Sequence, residues 1–239
     1  MGICFIVGHG KSAKGGYDPG ATSGGHQEFK IAREIAKYAQ EYYNANYSEH
    51  ADLMNYDADK YLTERIRAVN AADYDLIAEI HLNAAGGTGT ECYYHNKSTT
   101  GEAYAAAISK AISDEFGVKN RGARVKLNNR GKDYFAIIRD TKPTALLIET
   151  MFVDSMDVGL IASDGGQRRC GEAIAKAIAT ARKAEPRKEE PEIKEESETT
   201  ELHCLQFGAF ANRENAEKEC KRLKAMGIDV IITTKTVEK

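Results

Sequence analysis

Two histidines and two glutamates are the residues of this sequence most able to do chemistry together: His9, Glu28, His81 and Glu149. Two imidazoles and a carboxylate form the ligand set of catalytic zinc in many hydrolases, which leave one position open for water. A further carboxylate can take a proton from that water and give one to a leaving amine. The residue types therefore indicate a metal-dependent hydrolytic site, provided that the fold brings the four together.

The elements that must position these residues alternate along the first three quarters of the chain. Apolar runs at 3–7, 75–80 and 145–148 predict strands, and helical periodicity predicts helices at 28–44, 62–69, 103–116 and 171–183. This alternation predicts an α/β fold, a twisted and mostly parallel sheet with helices on both faces. His9, His81 and Glu149 directly follow strands, and the carboxyl ends of parallel strands meet at one edge. Glu28 opens the first helix and returns to that edge.

Each of these residues also has an ordinary structural interpretation. A single histidine after a strand is more often a surface or hydrogen-bonded residue than a ligand, although the glycines beside His9 leave room for close approach. Glu28 is equally compatible with a solvated acid at a helix N-terminus. Glu149 is the better candidate alone, because a carboxylate directly after Leu-Leu-Ile is costly to desolvate without a partner or a role. Spacing alone leaves the site open.

Charge and cysteine content exclude several classes of function. The chain has 33 basic and 36 acidic residues, a net charge of -3, so we expect no nucleic acid partner. No apolar run reaches the roughly 18–20 residues that span a membrane, so we expect no membrane partner. The five cysteines are scattered without CxxC spacing, which favours a reducing compartment and argues against a cysteine zinc site.

Composition divides the chain into three parts. Residues 1–184 form the predicted catalytic domain, and residues 185–200 are a charged stretch with two prolines that reads as a flexible linker. Residues 201–239 predict a small βαβ module, with strands near 202–207 and 229–233 and a helix at 215–226 before Gly227. A module of this size is marginal alone.

A series of motifs in residues 1–180 resembles the zinc-dependent N-acetylmuramoyl-L-alanine amidases of bacterial autolysins and phage endolysins. In order, they are Val7-Gly8-His9-Gly10, Asp18-Pro19-Gly20-Ala21, Glu28, Leu62-Thr63-Glu64-Arg65, Ala68-Val69-Asn70, Ile80-His81-Leu82-Asn83-Ala84 and Leu147-Ile148-Glu149-Thr150-Met151-Phe152-Val153. The resemblance implies one Zn²⁺ per catalytic domain, held by His9, Glu28 and His81, with Glu149 as the catalytic residue. It implies cleavage of the amide between N-acetylmuramic acid and L-alanine in peptidoglycan.

Some features depart from that family's usual pattern. Met151 stands where glycine is frequent, and Asp154 stands where asparagine is usual. The loop at 11–17 is longer than in the tightest members and lies beside the expected metal, so it is a candidate for altering which stem peptides are accepted.

Residues 202–233 contain the segments Leu205-Gln206-Phe207-Gly208-Ala209-Phe210, Asn212-Arg213-Glu214-Asn215-Ala216-Glu217 and Leu223-Lys224-Ala225-Met226-Gly227-Ile228. On these segments, this part of the chain resembles a sporulation-related (SPOR) repeat, a module that binds peptidoglycan glycan strands. The resemblance implies cell-wall binding by Gln206, Phe207 and Phe210. Only one βαβ unit is visible, so we expect two chains to pair through 201–239 as a homodimer. There are two alternatives to this pairing. The chain is a truncated form that lacks the second half of the module, or residues 201–239 are a docking element on the catalytic domain.

Weaker site candidates and competing functions accompany this interpretation. Asn83 and Arg65 are candidates for substrate binding, although Arg65 could more readily pair with an acidic residue of the scaffold. His26 is the main alternative candidate for a metal ligand. The alternatives in function are a zinc peptidase acting on wall stem peptides and a catalytically inactive wall-binding protein. The opening residues read as a strand rather than a secretory signal. We therefore expect synthesis in the bacterial cytoplasm and action on the wall after release, which favours a phage endolysin that lyses its host. A mother-cell autolysin released by lysis would have the same sequence features.

Overall fold

The computed structural model describes residues 2–187, 212–228, 230 and 232 of the chain. The chain separates into two compact units, Met1–Glu189 and Glu190–Lys239. None of the described helices combines the length and apolar character that crossing a membrane requires.

The first unit is built on a six-stranded sheet with helices on both faces, as the sequence predicts. Its strands are β1 (Gly2–Val7), β6 (Ala51–Met54), β7 (Tyr74–Asn83), β8 (Thr90–Tyr94), β9 (Asn120–Arg124) and β10 (Thr144–Phe152). Four short strands form two hairpins between β1 and the first helix: β2 (Gly10–Lys11) with β3 (Tyr17–Asp18), and β4 (Thr22–Ser23) with β5 (His26–Gln27).

The strand order places the carboxyl ends of three parallel strands side by side. The order is β6-β1-β7-β10-β8-β9, and the neighbours from β6 to β10 are parallel. β8 pairs antiparallel with β10, and β9 runs parallel to β8. The sheet is therefore mixed but mostly parallel, and β1, β7 and β10 end at one shared edge.

Six helices cover this sheet: α1 (Glu28–Asn46), α2 (Leu62–Ala71), α3 (Thr99–Phe116), α4 (Ala136–Arg139), α5 (Val158–Ile161) and α6 (Asp164–Arg182). The predicted stripe of α1, which includes Phe29, Ile35 and Tyr43, is buried in the larger core cluster. A smaller cluster lies on the other face of the sheet and contains Ile6, Val69 and Leu147. Two cores on opposite faces explain why the strands are apolar on both sides.

Element boundaries differ from the predicted ones in physically understandable ways. The helix α6 begins seven residues earlier than predicted, because Ser163 caps it by accepting from the Gly166 amide and its first turns are polar. The strands β7 and β10 continue beyond the predicted ends, so His81 and Glu149 lie within strands rather than in the loops after them. The strands β6, β8 and β9 were not predicted, since each is only four or five residues long.

The second unit contains one described helix, α7 (Arg213–Ala225), which confirms the predicted helix within two residues. Asn212 caps it by accepting from the Glu214 amide, and Gly227 follows with a φ of +78°. Leu223 is the buried residue of this helix. The predicted strand at 202–207 lies outside the described residues, as does most of the one predicted at 229–233.

Candidate metal centre

The structure brings three of the predicted residues to one point. Oε1 of Glu28 lies 3.2 Å from Nε2 of His9 and 2.9 Å from Nδ1 of His81. One donor atom from each of the three residues lies within 4.8 Å of the others. Among the described residues, this is the group of histidine, cysteine and acidic side chains so arranged that it could hold a metal ion.

The fold supplies each of these side chains from a different element. His9 follows the last residue of β1, Glu28 is the first residue of α1, and His81 is near the end of β7. Glu149 lies opposite His81 in the β7–β10 register. The parallel pairing of β1, β7 and β10 therefore explains why residues so far apart in sequence converge.

Two glycines make room for this convergence. A Cβ at Gly8 would lie 2.3 Å from Cε1 of His81, and a Cβ at Gly20 would lie 2.6 Å from Oε2 of Glu28. Gly20 also has a φ of +68°, in the left-handed region that glycine tolerates best. Any side chain at either position would displace a proposed ligand.

The backbone of His9 is held in an uncommon conformation. Its φ is +62°, which costs a non-glycine residue free energy unless its surroundings enforce it. The His9 carbonyl accepts from Nδ2 of Asn55 at 2.8 Å and from Nη1 of Arg65 at 2.9 Å. Nδ2 of Asn55 also donates to the carbonyl of Val7 at 2.7 Å. These bonds fix the direction of the His9 side chain.

Each histidine has a second carboxylate on its outer ring nitrogen. Oδ2 of Asp18 lies 3.0 Å from Nδ1 of His9, and Oε2 of Glu79 lies 3.2 Å from Nε2 of His81. Such carboxylates fix the tautomer and orientation of a ligating imidazole and raise its basicity. Sequence analysis missed both roles. The available signal for Glu79 was its position two residues before His81, which puts both side chains on one face of a strand.

The electrostatics of the cluster favour positive charge at its centre. Burial alone would lower the pKa of His9 and His81, but the neighbouring carboxylates, Glu28 foremost, raise both above the usual value. Burial would raise the pKa of Glu28, but hydrogen bonds from the two imidazoles hold it well below its usual range. A centre that stabilises protonated imidazoles is also one that attracts a cation.

Glu149 differs from the other acids because its carboxylate is not committed to a partner. Its Oε2 atom is buried and has no hydrogen-bond partner within the described part of the chain. Burial raises its pKa to about 7, with the carboxylates of Glu28 and Glu91 acting in the same direction. A buried carboxyl group with such a pKa can both accept and donate a proton near neutral pH.

The four residues share a cleft of about 460 Å³. Its walls include Lys11 and Tyr61 on one side, and Phe135 and Leu147 on another. The donor set of two imidazoles and one carboxylate fits Zn²⁺, and Glu149 lines the same cleft. The residues present therefore fit a catalytic metal and an adjacent proton carrier.

The other site candidates predicted from the sequence, Arg65, Asn83 and His26, lie outside the metal cluster. Arg65 is 4% exposed and forms a 2.9 Å ion pair from Nε to Oε1 of Glu79, which favours the scaffold role over substrate contact. Asn83 lines the cleft and donates to Oε1 of Glu91 at 2.8 Å. His26 lies in β5, outside the ligand cluster. The predicted wall-binding residues lie outside the described residues: Gln206, Phe207 and Phe210.

Comparison with protein families gives two matches. The N-acetylmuramoyl-L-alanine amidase family matches residues 3–180, and the SPOR domain family matches residues 176–239. The first match contains every residue of the cluster described above. The second begins within the last part of α6 and runs to the end of the chain.

Individual relatives agree with the family matches. The sporulation-specific N-acetylmuramoyl-L-alanine amidase of Bacillus subtilis strain 168 is 27% identical over 224 residues, which is 92% of this chain and 82% of the relative. The endolysin of Bacillus phage SPP1 is 32% identical over 176 residues, 69% of this chain and 62% of the endolysin. Among solved structures, Cwp6 from Clostridium difficile has a TM-score of 0.67 and 32% identity, covering 76% of this chain and 29% of Cwp6.

Proposed function

We propose, from the premise that the chain belongs to the N-acetylmuramoyl-L-alanine amidase family, that its peptidoglycan amidase activity depends on one zinc ion. The observation that carries this proposal is the cluster of His9, Glu28 and His81, whose donor atoms lie within 4.8 Å of one another. These three residues would hold the ion. When bound, zinc lowers the pKa of water toward ~7 and polarises a carbonyl oxygen.

Glu149 carries the proton in the proposed mechanism. Hydrolysis adds water across the amide between the lactyl group of N-acetylmuramic acid and L-alanine: oxygen bonds to the carbonyl carbon, and the carbon–nitrogen bond breaks. The carboxylate of Glu149 accepts a proton from the attacking water and returns one to the departing nitrogen. Its freedom from other hydrogen bonds and its raised pKa support both steps.

Four other residues keep the site in place. Asp18 and Glu79 hold the outer nitrogens of His9 and His81, and Asn55 and Arg65 hold the His9 carbonyl. The Arg65–Glu79 ion pair is nearly fully buried, so it is poorly screened by solvent. This support keeps the two imidazoles oriented toward Glu28.

The C-terminal module is proposed to hold the enzyme on the wall. The SPOR family match supports contact with glycan strands, and the bounds 201–239 and the roles of Gln206, Phe207 and Phe210 stay predictions. Pairing of two chains through this module is also a proposal. Light scattering of the full chain at micromolar concentration tests it: a dimer is expected, and a monomer would contradict it.

Two biological settings fit the proposed activity, a phage endolysin and a bacterial autolysin released by lysis of the mother cell. The similarity to the sporulation-specific amidase covers more of this chain than the similarity to the endolysin, which supports the autolysin. In both settings, we propose that the enzyme reaches the wall after release from the cytoplasm. Immunolocalisation in the producing cell before and after lysis tests it.

Product analysis tests the proposed reaction. Purified protein is incubated with defined peptidoglycan, with and without a zinc chelator, and the new chain ends are identified. We expect new N-terminal L-alanine without new reducing sugars, lost on chelation and restored by zinc. New ends within the stem peptide would support a peptidase instead, and wall binding without cleavage would support an inactive binding protein.

A further inference from the structure

Residues of the β2–β3 hairpin line both the metal cleft and a second cavity. Asp18 faces the metal centre, where its carboxylate contacts His9, and Lys11 lines the same cleft. Tyr17, the preceding residue of β3, lines a different cavity of about 540 Å³. Lys11 and Tyr17 are partners in the β2–β3 pairing, yet they line different cavities. The two cavities are therefore neighbours that share this hairpin.

The second cavity has an aromatic lining. Tyr17, Phe29 and Tyr56 contribute rings to it. The ring of Tyr17 is 54% exposed and packs edge-on against Phe29, with centroids 5.8 Å apart. Its hydroxyl donates to Oε1 of Gln27 at 3.1 Å, which fixes the ring's orientation. A half-exposed and oriented ring at the mouth of a cavity is available to stack on a ligand.

Two of the four charged residues that line this cavity, Arg33 and Glu34, are paired with each other. Arg33 donates from Nε to Oε1 of Glu34 at 2.9 Å, and its guanidinium lies 4.9 Å from the ring centroid of Tyr56. Tyr56 donates to the same carboxylate oxygen at 3.3 Å. The two cations of the cavity, Lys30 and Arg33, are balanced by two acids, Glu34 and Asp57, so the lining has no net charge to attract an acidic ligand. The carboxylates of Glu34 and Asp57 offer acceptors for hydroxyl groups.

We propose that this cavity is a subsite for an uncharged N-acetylhexosamine ring of the glycan strand, adjoining the muramic acid whose amide lies in the metal cleft. The inference rests on the proposed function. Peptidoglycan is a polymer, so a substrate with its scissile amide at Glu149 extends beyond the metal cleft. A sugar ring has apolar faces that pack on aromatic rings, and hydroxyl groups that donate to carboxylates. The second cavity offers both next to the metal cleft.

Chain-length dependence of the kinetics tests this inference. Two substrates carry the same stem peptide on a muramic acid, one with no further sugar and one within a tetrasaccharide. We expect Tyr17→Ala to raise KM for the tetrasaccharide by about three- to tenfold, the effect of losing one aromatic contact, without changing kcat. The single-sugar substrate should be unaffected. Tyr56→Ala, a second and independent variant, should act in the same way.

Matched controls separate stacking from damage to the hairpin. Tyr17→Phe keeps the ring and loses the hydroxyl, so it should retain most of the wild-type KM. All variants should bind zinc as tightly as the wild type, because Asp18 is unchanged. An equal increase in KM for both substrates would overturn the proposal. An increase in KM that depends on the length of the stem peptide would also overturn it, because it would assign the cavity to the stem peptide.

A binding measurement on the full chain distinguishes failure of this inference from failure of the proposed function. The probe is the N-acetylglucosamine tetramer, which has no amide to muramic acid and is not a substrate. Because the C-terminal module is a second possible site for glycan, the readout is chemical-shift change at the amides of residues 17, 29 and 56. We expect such shifts in wild type and their loss in Tyr17→Ala. Their absence in wild type would overturn the subsite even if the amidase is active.

Discussion

Oε2 of Glu79 lies 3.2 Å from Nε2 of His81, on the ring nitrogen opposite the one that faces Glu28. Glu79 is 1% exposed, and its other oxygen lies 2.9 Å from Nε of Arg65. The carboxylate of Glu79 thus connects a buried guanidinium to a proposed zinc ligand. Burial alone would raise the pKa of Glu79, but Arg65 and His81 lower it, so it is an anion that can hold the Nε2 proton of His81.

This relationship predicts a role for Glu79 in metal affinity. Glu79→Gln should weaken zinc binding by about 10- to 100-fold, because a neutral amide is a weaker partner for the imidazole and leaves Arg65 without its counter-ion. Competition against a chromophoric chelator measures the affinity. Glu102→Gln, an exposed acid in the first turn of α3, is the matched control and should bind zinc normally. Equal affinities for the two variants would contradict the role.

The ligand assignment predicts opposite results for two histidines. His81→Ala removes a proposed ligand and should leave the purified protein with little zinc by elemental analysis. His26→Ala, outside the cluster, should retain the wild-type amount. Thermal denaturation with and without added zinc completes the comparison, since a ligand that binds only the folded state raises Tm. Loss of zinc from the His26 variant, or its retention in the His81 variant, would refute the assignment.

The contact between Gly8 and the ring of His81 predicts a steric effect. Gly8→Ala would place a Cβ 2.3 Å from Cε1 of His81, so the ring must move away from Glu28. We expect at least about tenfold weaker zinc binding and a loss of about 1–3 kcal/mol in the free energy of unfolding, as for other overpacked sites. Gly165→Ala, where a Cβ meets nothing within 4 Å, should neither weaken zinc binding nor lower the free energy of unfolding. Wild-type zinc affinity in the Gly8 variant would show that the ring is not held there.

The raised pKa of Glu149 predicts the direction of the pH dependence. The group must be deprotonated to accept a proton, and burial raises its pKa to about 7, so kcat/KM should fall as the pH falls. A bound cation favours the carboxylate form, which places the midpoint of this fall below 7. Steady-state kinetics from pH 5 to 8, with zinc content measured at each pH, tests the prediction. A rate that increases on acidification at constant zinc would contradict it.

The residues that the sequence identified are those whose chemistry is visible without knowing their neighbours. His9, Glu28 and His81 are ligating residue types next to predicted elements. The alternation of strands and helices predicted that they meet at one sheet edge, and the resemblance to the amidase family implied their roles as ligands. The fold class followed from the same alternation. The short strands β8 and β9 were not predicted because neither five-residue segment alternates apolar and polar residues.

The supporting residues could not be predicted because their roles depend on pairing between elements. Asn55 donates to the His9 carbonyl although it lies 46 residues away in the sequence, and Arg65 donates to it from 56 residues away. Asp18 was part of a recognised motif without an assigned role, and its contact with His9 depends on how the β2–β3 hairpin folds back. Such contacts require the register and the turn geometry, which local patterns do not encode.

The role of Glu149 is the central claim, and turnover of the Glu149→Gln variant with its metal content tests it most directly. The substitution keeps the shape of the side chain and removes its ability to accept a proton. We expect the variant to bind one zinc ion per catalytic domain and to cleave peptidoglycan at least about 10²–10⁴-fold more slowly than the wild type. Turnover near the wild-type rate with zinc bound would remove Glu149 from the mechanism.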